Sequence, residues 1–100
     1  MAGGDAVQIA PDVYKVVLED EHVRVLGTRT GPGDSSEMHS HHNMVSYAIS
    51  DCTWALTGSD GTTVLVAVEA GKTVYLDAVD HSAHDVGAIG SHALLIELKK

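Results

Sequence analysis

The chain has 100 residues, 44% of them hydrophobic, and a formal net charge of −8 at pH 7 with histidine neutral. That length makes one domain with a modest core, and the acidic balance excludes the basic surface that nucleic-acid backbones and anionic membranes require. The one cysteine, Cys52, cannot form an intramolecular disulfide, and no apolar run approaches membrane-spanning length.

Met1-Ala2-Gly3-Gly4-Asp5 lacks the basic and apolar regions of a secretory leader, so a cytoplasmic location is expected. Residues 1–10 are small and polar without periodicity and read as a flexible lead-in, leaving 11–100 as a single domain. From there strand follows strand. Residues 13–19 are β-branched and end at Asp20-Glu21; residues 23–26 follow, and Gly31-Pro32-Gly33 breaks the run. Residues 45–49 alternate with period two. Trp54 and Leu56 alternate up to Gly58-Ser59-Asp60-Gly61, whose Asp-Gly suits a tight hairpin. Val64, Val66 and Val68 share one face of the next strand, residues 73–76 are short, and residues 93–98 close the chain, with 97–100 read as a strand end and solvated basic tail. No stretch holds helical spacing over three turns. The fold class is all-β, an antiparallel sandwich or barrel.

Histidine is the chemically loaded residue. Gly33-Asp34-Ser35-Ser36-Glu37-Met38-His39-Ser40-His41-His42 places two imidazoles at i and i+2, on one face of a strand. If residues 38–49 form one strand, then His39, His41, Asn43, Val45, Tyr47 and Ile49 share a face, and its apolar members turn it toward the core. Met38 and Met44 then look outward. Inward imidazoles are costly without partners. They are either core histidines bonded to backbone carbonyls or ligands of a metal ion. A second cluster, Asp80-His81-Ser82-Ala83-His84-Asp85, supplies a third imidazole and favours the metal, with His81 and His84 both candidates.

These residues resemble a known family. Gly33, five residues, then His39-Ser40-His41 is similar to the opening of the first cupin motif, and Gly71 followed by Asp77-Ala78-Val79-Asp80-His81 is similar to the second. The likeness runs from about residue 13 to 98 and includes Tyr14-Lys15-Val16-Val17-Leu18-Glu19, Val23-Arg24-Val25-Leu26 and Ala93-Leu94-Leu95-Ile96-Glu97-Leu98. Small single-domain cupins, some associated with β-alanine degradation, look like this. The resemblance implies a jelly-roll (double-stranded β-helix) barrel whose mouth holds a divalent transition metal on His39, His41 and His81. It favours His81 over His84 because Ser82-Ala83 and Gly87 then fit the family's continuation. The chain departs from the family at the acidic ligand, where Val45 stands, and at Asp77 and Val79, where Pro and Gly are usual. Three neutral imidazoles leave an ion its full charge and open positions, as in cupin oxygenases acting on β-diketones or thiols. Iron, nickel, zinc, copper and manganese all suit such a site.

The resemblance implies a metal-dependent enzyme of oxygenase or isomerase/lyase type acting on a small organic acid or carbonyl compound. The alternative is a non-catalytic module that binds a metal or small ligand. Tyr47 and Tyr75 are the candidate catalytic hydroxyls, against a plainer reading as core aromatics; Val45 and Ile49 would form an apolar wall. Arg29, sharing parity with Val23 and Val25, could face the mouth and hold a carboxylate or lie exposed at a strand end. Cys52 reads as a small buried hydrophobe, and Trp54 as a packing or interface residue. Apolar outer faces and exposed sheet edges lead us to expect a homodimer. No phosphate loop, Gly-x-Ser-x-Gly elbow or carboxylate pair is present, which excludes nucleotide hydrolases, serine hydrolases and glycosidases.

Overall fold

A computed structural model describes residues 4–99. Two five-stranded sheets face each other. The first has the order β1 (Gly4–Asp5), β4 (Ser35–His41), β9 (Val79–Asp85), β6 (Cys52–Gly58), β7 (Thr63–Val68). The second has the order β2 (Tyr14–Glu19), β3 (Val23–Thr30), β10 (Ser91–Leu98), β5 (Met44–Ala48), β8 (Thr73–Leu76). The all-β jelly roll is therefore present, as two layers rather than a barrel closed by continuous hydrogen bonding. Apart from the short parallel pairing of β1 with β4, the ladders are antiparallel.

Turn chemistry holds the frame. The Asp60-Gly61 hairpin joins β6 to β7 as its sequence predicts: Gly61 takes φ +86° and Gly58 N donates to Thr62 O at 2.9 Å. Gly90, at φ +82°, lies so close to Thr30 that any Cβ would overlap its carbonyl oxygen, which fixes the entry into β10.

Two apolar clusters pack the interior, the second of them drawing on both sheets. Ala6, Tyr14, Leu26, Met44 and Leu95 fill one end, and Ala48, Cys52, Val68 and Ala93 the other. Cys52 is buried as expected, with Sγ near the Ser50 carbonyl oxygen. The lead-in is a correction: residues 4–5 pair with β4 and residues 6–9 form a helical turn, α1, capped by Asp5 accepting from Val7 N. Ala6 is wholly buried, which gives this segment apolar contacts that its small, aperiodic composition did not announce. Residues 1–3 and 100, to which the lead-in and the basic tail also extended, lie outside the described residues.

The second correction concerns parity. His41 ends β4 in one sheet and Met44 begins β5 in the other. The two-residue corner between them, His42-Asn43, resets the alternation. Asn43 anchors it, accepting from Ala78 N through Oδ1 and from Leu98 N through its carbonyl. Met44, Ser46 and Ala48 consequently point inward, and Val45, Tyr47 and Ile49 point away from the core. A single strand over residues 38–49 would have done the reverse.

Candidate metal centre

A β-bulge builds the site. Ser36 pairs with Ala83 and His39 with His81, so β4 spends three residues where β9 spends two. The extra residue lets both Ser36 and His39 face inward and sets His39 directly across the ladder from His81. His41, two residues further, points the same way. The three rings are buried, with centroids 4.8 Å (His39–His41), 4.9 Å (His39–His81) and 5.3 Å (His41–His81) apart, and one nitrogen from each lies within 4.8 Å of the others. The structure thus brings together His39, His41 and His81. His84 is exposed on the opposite face of β9, and His42 is exposed at the corner.

Hydrogen bonds fix which nitrogen each of two rings offers. His39 Nδ1 donates to the Glu37 carbonyl at 2.6 Å, the bulge supplying the acceptor. His41 Nδ1 donates to Glu97 Oε2 at 2.7 Å. Both acceptors lack a proton to give, so Nδ1 is the donor in each ring, and in the neutral form Nε2 carries the lone pair. Tyr14, its ring edge-on to both, places its hydroxyl 3.1 Å from His39 Nε2 and donates to it. His41 Nε2 is buried without a hydrogen-bond partner.

Behind His41 runs a chain of charges. Glu97, fully buried, also accepts from Arg24 Nε at 2.8 Å, and Arg24 in turn grips both oxygens of Asp5, at 2.6 and 3.2 Å. Burial by itself raises the Glu97 carboxyl, but the bonds and charges of His41 and Arg24 outweigh it and hold the group below its ordinary value. Burial also lowers His39 and, with the neighbouring His41 and His39, brings His81 down to about 3. The Tyr14 hydroxyl is pushed up to about 12, mainly by burial. Near pH 7, therefore, His39 and His81 are neutral bases and Tyr14 is a neutral donor.

Tyr14, Glu97 and Arg24 were missed as site residues. A signal existed for two of them: Glu97 shares parity with Ala93 and Leu95, and Arg24 with Leu26, all buried or half-buried on the inner face. Tyr47 and Tyr75, the expected catalytic hydroxyls, are 38% and 53% exposed on the outer face of the second sheet, Val45 pairing with Tyr75 there. The corner that resets parity turns Tyr47 outward together with the wall assigned to Val45 and Ile49, and Tyr75, across the ladder from Val45, shares that outer face. Met44 is buried rather than outward. Arg29 lies exposed at the strand end beside His92 and does not join His39, His41 and His81.

Neither a protein-family model nor a curated protein matches the chain. Solved structures do. A cupin domain protein from Bordetella pertussis superposes with a TM-score of 0.78 at 20% identity, over 100% of this chain and 99% of its own. An RmlC-like cupin from Methanocaldococcus jannaschii with a double-stranded β-helix fold gives 0.65 at 16%, over 86% and 78%. One from Shewanella frigidimarina gives 0.60 at 18%, over 87% and 75%. The class is thus the double-stranded β-helix. Within that class, the chain has the fold of a small single-domain cupin. Nothing in these likenesses bears on β-alanine degradation. No helix among the described residues is long and apolar enough to cross a membrane.

The donors suit a divalent transition metal. His39, His41 and His81 would each hold such an ion through one ring nitrogen, the three lying within 4.8 Å of one another. Glu97 on His41 and the Glu37 carbonyl on His39 supply the outer hydrogen bonds that orient ligating imidazoles.

Burial of neutral imidazoles sets a pH dependence. Between the ordinary histidine value of 6.5 and about 3, the unfolded chain binds a proton at residue 81 that the folded chain refuses. Stability therefore falls as pH drops through that window, by roughly 2 kcal/mol between pH 7 and 5 in the metal-free protein. Urea denaturation at the two pH values measures it. His81→Leu should flatten most of the slope, and a wild-type profile with no slope would show that these rings are not buried neutral.

Proposed function

We propose that the protein is a metal-dependent small-molecule enzyme of the cupin type, its divalent transition metal held by His39, His41 and His81. The observation that carries this reading is the His41 Nε2 atom: buried, without a hydrogen-bond partner, and placed where two other imidazole nitrogens converge. Such an atom costs on the order of 1–3 kcal/mol unless it finds a partner.

A bound divalent ion would supply Lewis acidity toward a carbonyl or organic-acid oxygen, or a redox centre for oxygenase chemistry. The chain supplies the rest. Glu97 and the Glu37 carbonyl hold two rings in one tautomer. Tyr14, in place of Tyr47 and Tyr75, holds a proton on a hydroxyl at the site, ready to donate to a substrate oxygen once the His39 lone pair is otherwise engaged. A cavity of about 40 Å³ beside His41 and His81, lined also by Tyr14, Thr28 and Met44, admits little bulk water.

A non-catalytic metal-binding or ligand-binding module is the second reading. It draws support from Glu97: the carboxylate nearest the ligands is committed to His41 and Arg24 and is not free to act as a base.

His41→Ala is the direct test. Elemental analysis of the purified wild type should find about one divalent transition metal per chain, and the variant should lose at least tenfold in occupancy with an unchanged far-ultraviolet circular dichroism spectrum. Full occupancy in the variant would refute the ligand set. Oxygen consumption by the loaded protein with β-dicarbonyl and thiol compounds then separates enzyme from module.

We also propose a homodimer formed through the outer face of the second sheet. Registered neighbours there, Tyr47 beside Leu94 and Tyr75–Val45–Ile96–Val25, make an apolar surface across four strands, and no outward position on that face carries Asp or Glu. The outer face of the first sheet is polar by contrast, with Thr57 bonded to Thr63 and Ser40 to Asp80. For a chain of net charge −8, the second sheet is where two copies meet without opposing carboxylates. Sedimentation should give a dimer for the wild type and a monomer for Leu94→Lys; a monomeric wild type would refute this interface.

A further inference from the structure

We infer that a cleft at one corner of the second sheet's outer face, formed by Lys15, Arg29 and His92, binds a small oxyanion, the phosphate or carboxylate group of a metabolite. The inference does not rest on the metal reading, because this cleft lies across the sheet from the histidine cluster.

The strand ladders place these residues. Lys15 of β2 pairs with Gly27 of β3, and Arg29, two residues along β3, pairs with His92 of β10, so all four share the outer face. Gly27 has no side chain, which leaves open floor between Lys15 and Arg29. The cleft measures about 290 Å³. Val13 and Thr28 line both this cleft and the inner cavity beside His41 and His81, so they form the wall between the two spaces. On its other side Gly27 pairs with Leu94, so the cleft borders the apolar dimer surface without including it.

Positive charge is fixed here but not neutralised. Arg29 Nη2 lies 3.3 Å from His92 Nε2. A guanidinium only donates, so the ring accepts through a lone pair and leaves the charge of Arg29 whole. The backbone of His92 is itself anchored, its N–H donating to Ser50 Oγ and its carbonyl accepting from Ile49 and Ser50. The chain carries 14 Asp and Glu against 6 Lys and Arg, yet among the described residues neither Arg29 nor Lys15 forms an ion pair. Arg24 and Lys99, by contrast, are held by carboxylates. Asp12 is the one acidic residue lining the cleft, against two cations. An arginine oriented by a neutral base keeps the rest of its fork for bidentate contact with a carboxylate or phosphate. Lys15 adds a second charge from the neighbouring strand. In a chain of net charge −8, this corner is where an anion meets two uncommitted cations at once.

Inorganic phosphate and acetate, each titrated at constant ionic strength into the purified protein and into His41→Ala, test this while the Arg29 Nε–H and His92 ring resonances are followed by nuclear magnetic resonance. At least one anion should shift these signals saturably, and which one does tells phosphate from carboxylate recognition. The same shifts should appear in His41→Ala, whose metal centre is disabled. Arg29→Gln, followed at the His92 ring, should weaken binding at least tenfold, and Arg29→Lys should restore only part of the loss. A response that vanishes in His41→Ala would place the anion on the metal and overturn the inference. So would the absence of a saturable shift with either anion, an equal shift with sodium chloride, or unchanged affinity in Arg29→Gln.

Discussion

Three imidazoles buried together at the end of a small β-sandwich impose the constraint on which the site depends. Each brings a polar ring into a region that excludes water, and the protein meets that cost unevenly. It ties the Nδ1 protons of His39 and His41 to fixed acceptors, gives His39 Nε2 the Tyr14 hydroxyl, and leaves His41 Nε2 without a partner where the three rings converge. A core built only for stability would pair both nitrogens or use apolar side chains of similar volume. Leaving a buried nitrogen unpartnered makes sense where the missing partner is an ion.

The same constraint reaches the edge of the fold. Holding His41 requires Glu97, holding a buried Glu97 requires Arg24, and the remaining donors of Arg24 require Asp5. The short N-terminal segment is therefore tied to the site through charge, and through the burial of Ala6 against Tyr14, Leu26, Met44 and Leu95. Residues 4–9 are structured for that reason rather than for any strong local propensity.

Much of this was legible before the fold was known. Period-two alternation and turn signals gave the all-β class, Asp60-Gly61 announced its hairpin, and His39-Ser40-His41 with His81 announced the cluster. Alternation failed where its assumption of one continuous strand failed. The corner at His42-Asn43 and the bulge at Glu37 each shift parity by one, and a one-residue shift exchanges inner and outer faces. Tyr47 moved outward by that arithmetic. Glu97 was read as part of a solvated tail because a carboxylate beside lysines normally is one; its buried partners lie 56 and 73 residues away, beyond any local pattern.

The most direct test is long-range ¹H–¹⁵N correlation of the histidine rings while zinc is added to metal-free protein. Before addition, His39 and His41 should both carry a proton on Nδ1. At one equivalent of zinc, the ring resonances of His39, His41 and His81 should move together, while those of His22, His42, His84 and His92 stay in place. Movement of any other set, or no stoichiometric movement at all, would contradict a metal centre on these three residues.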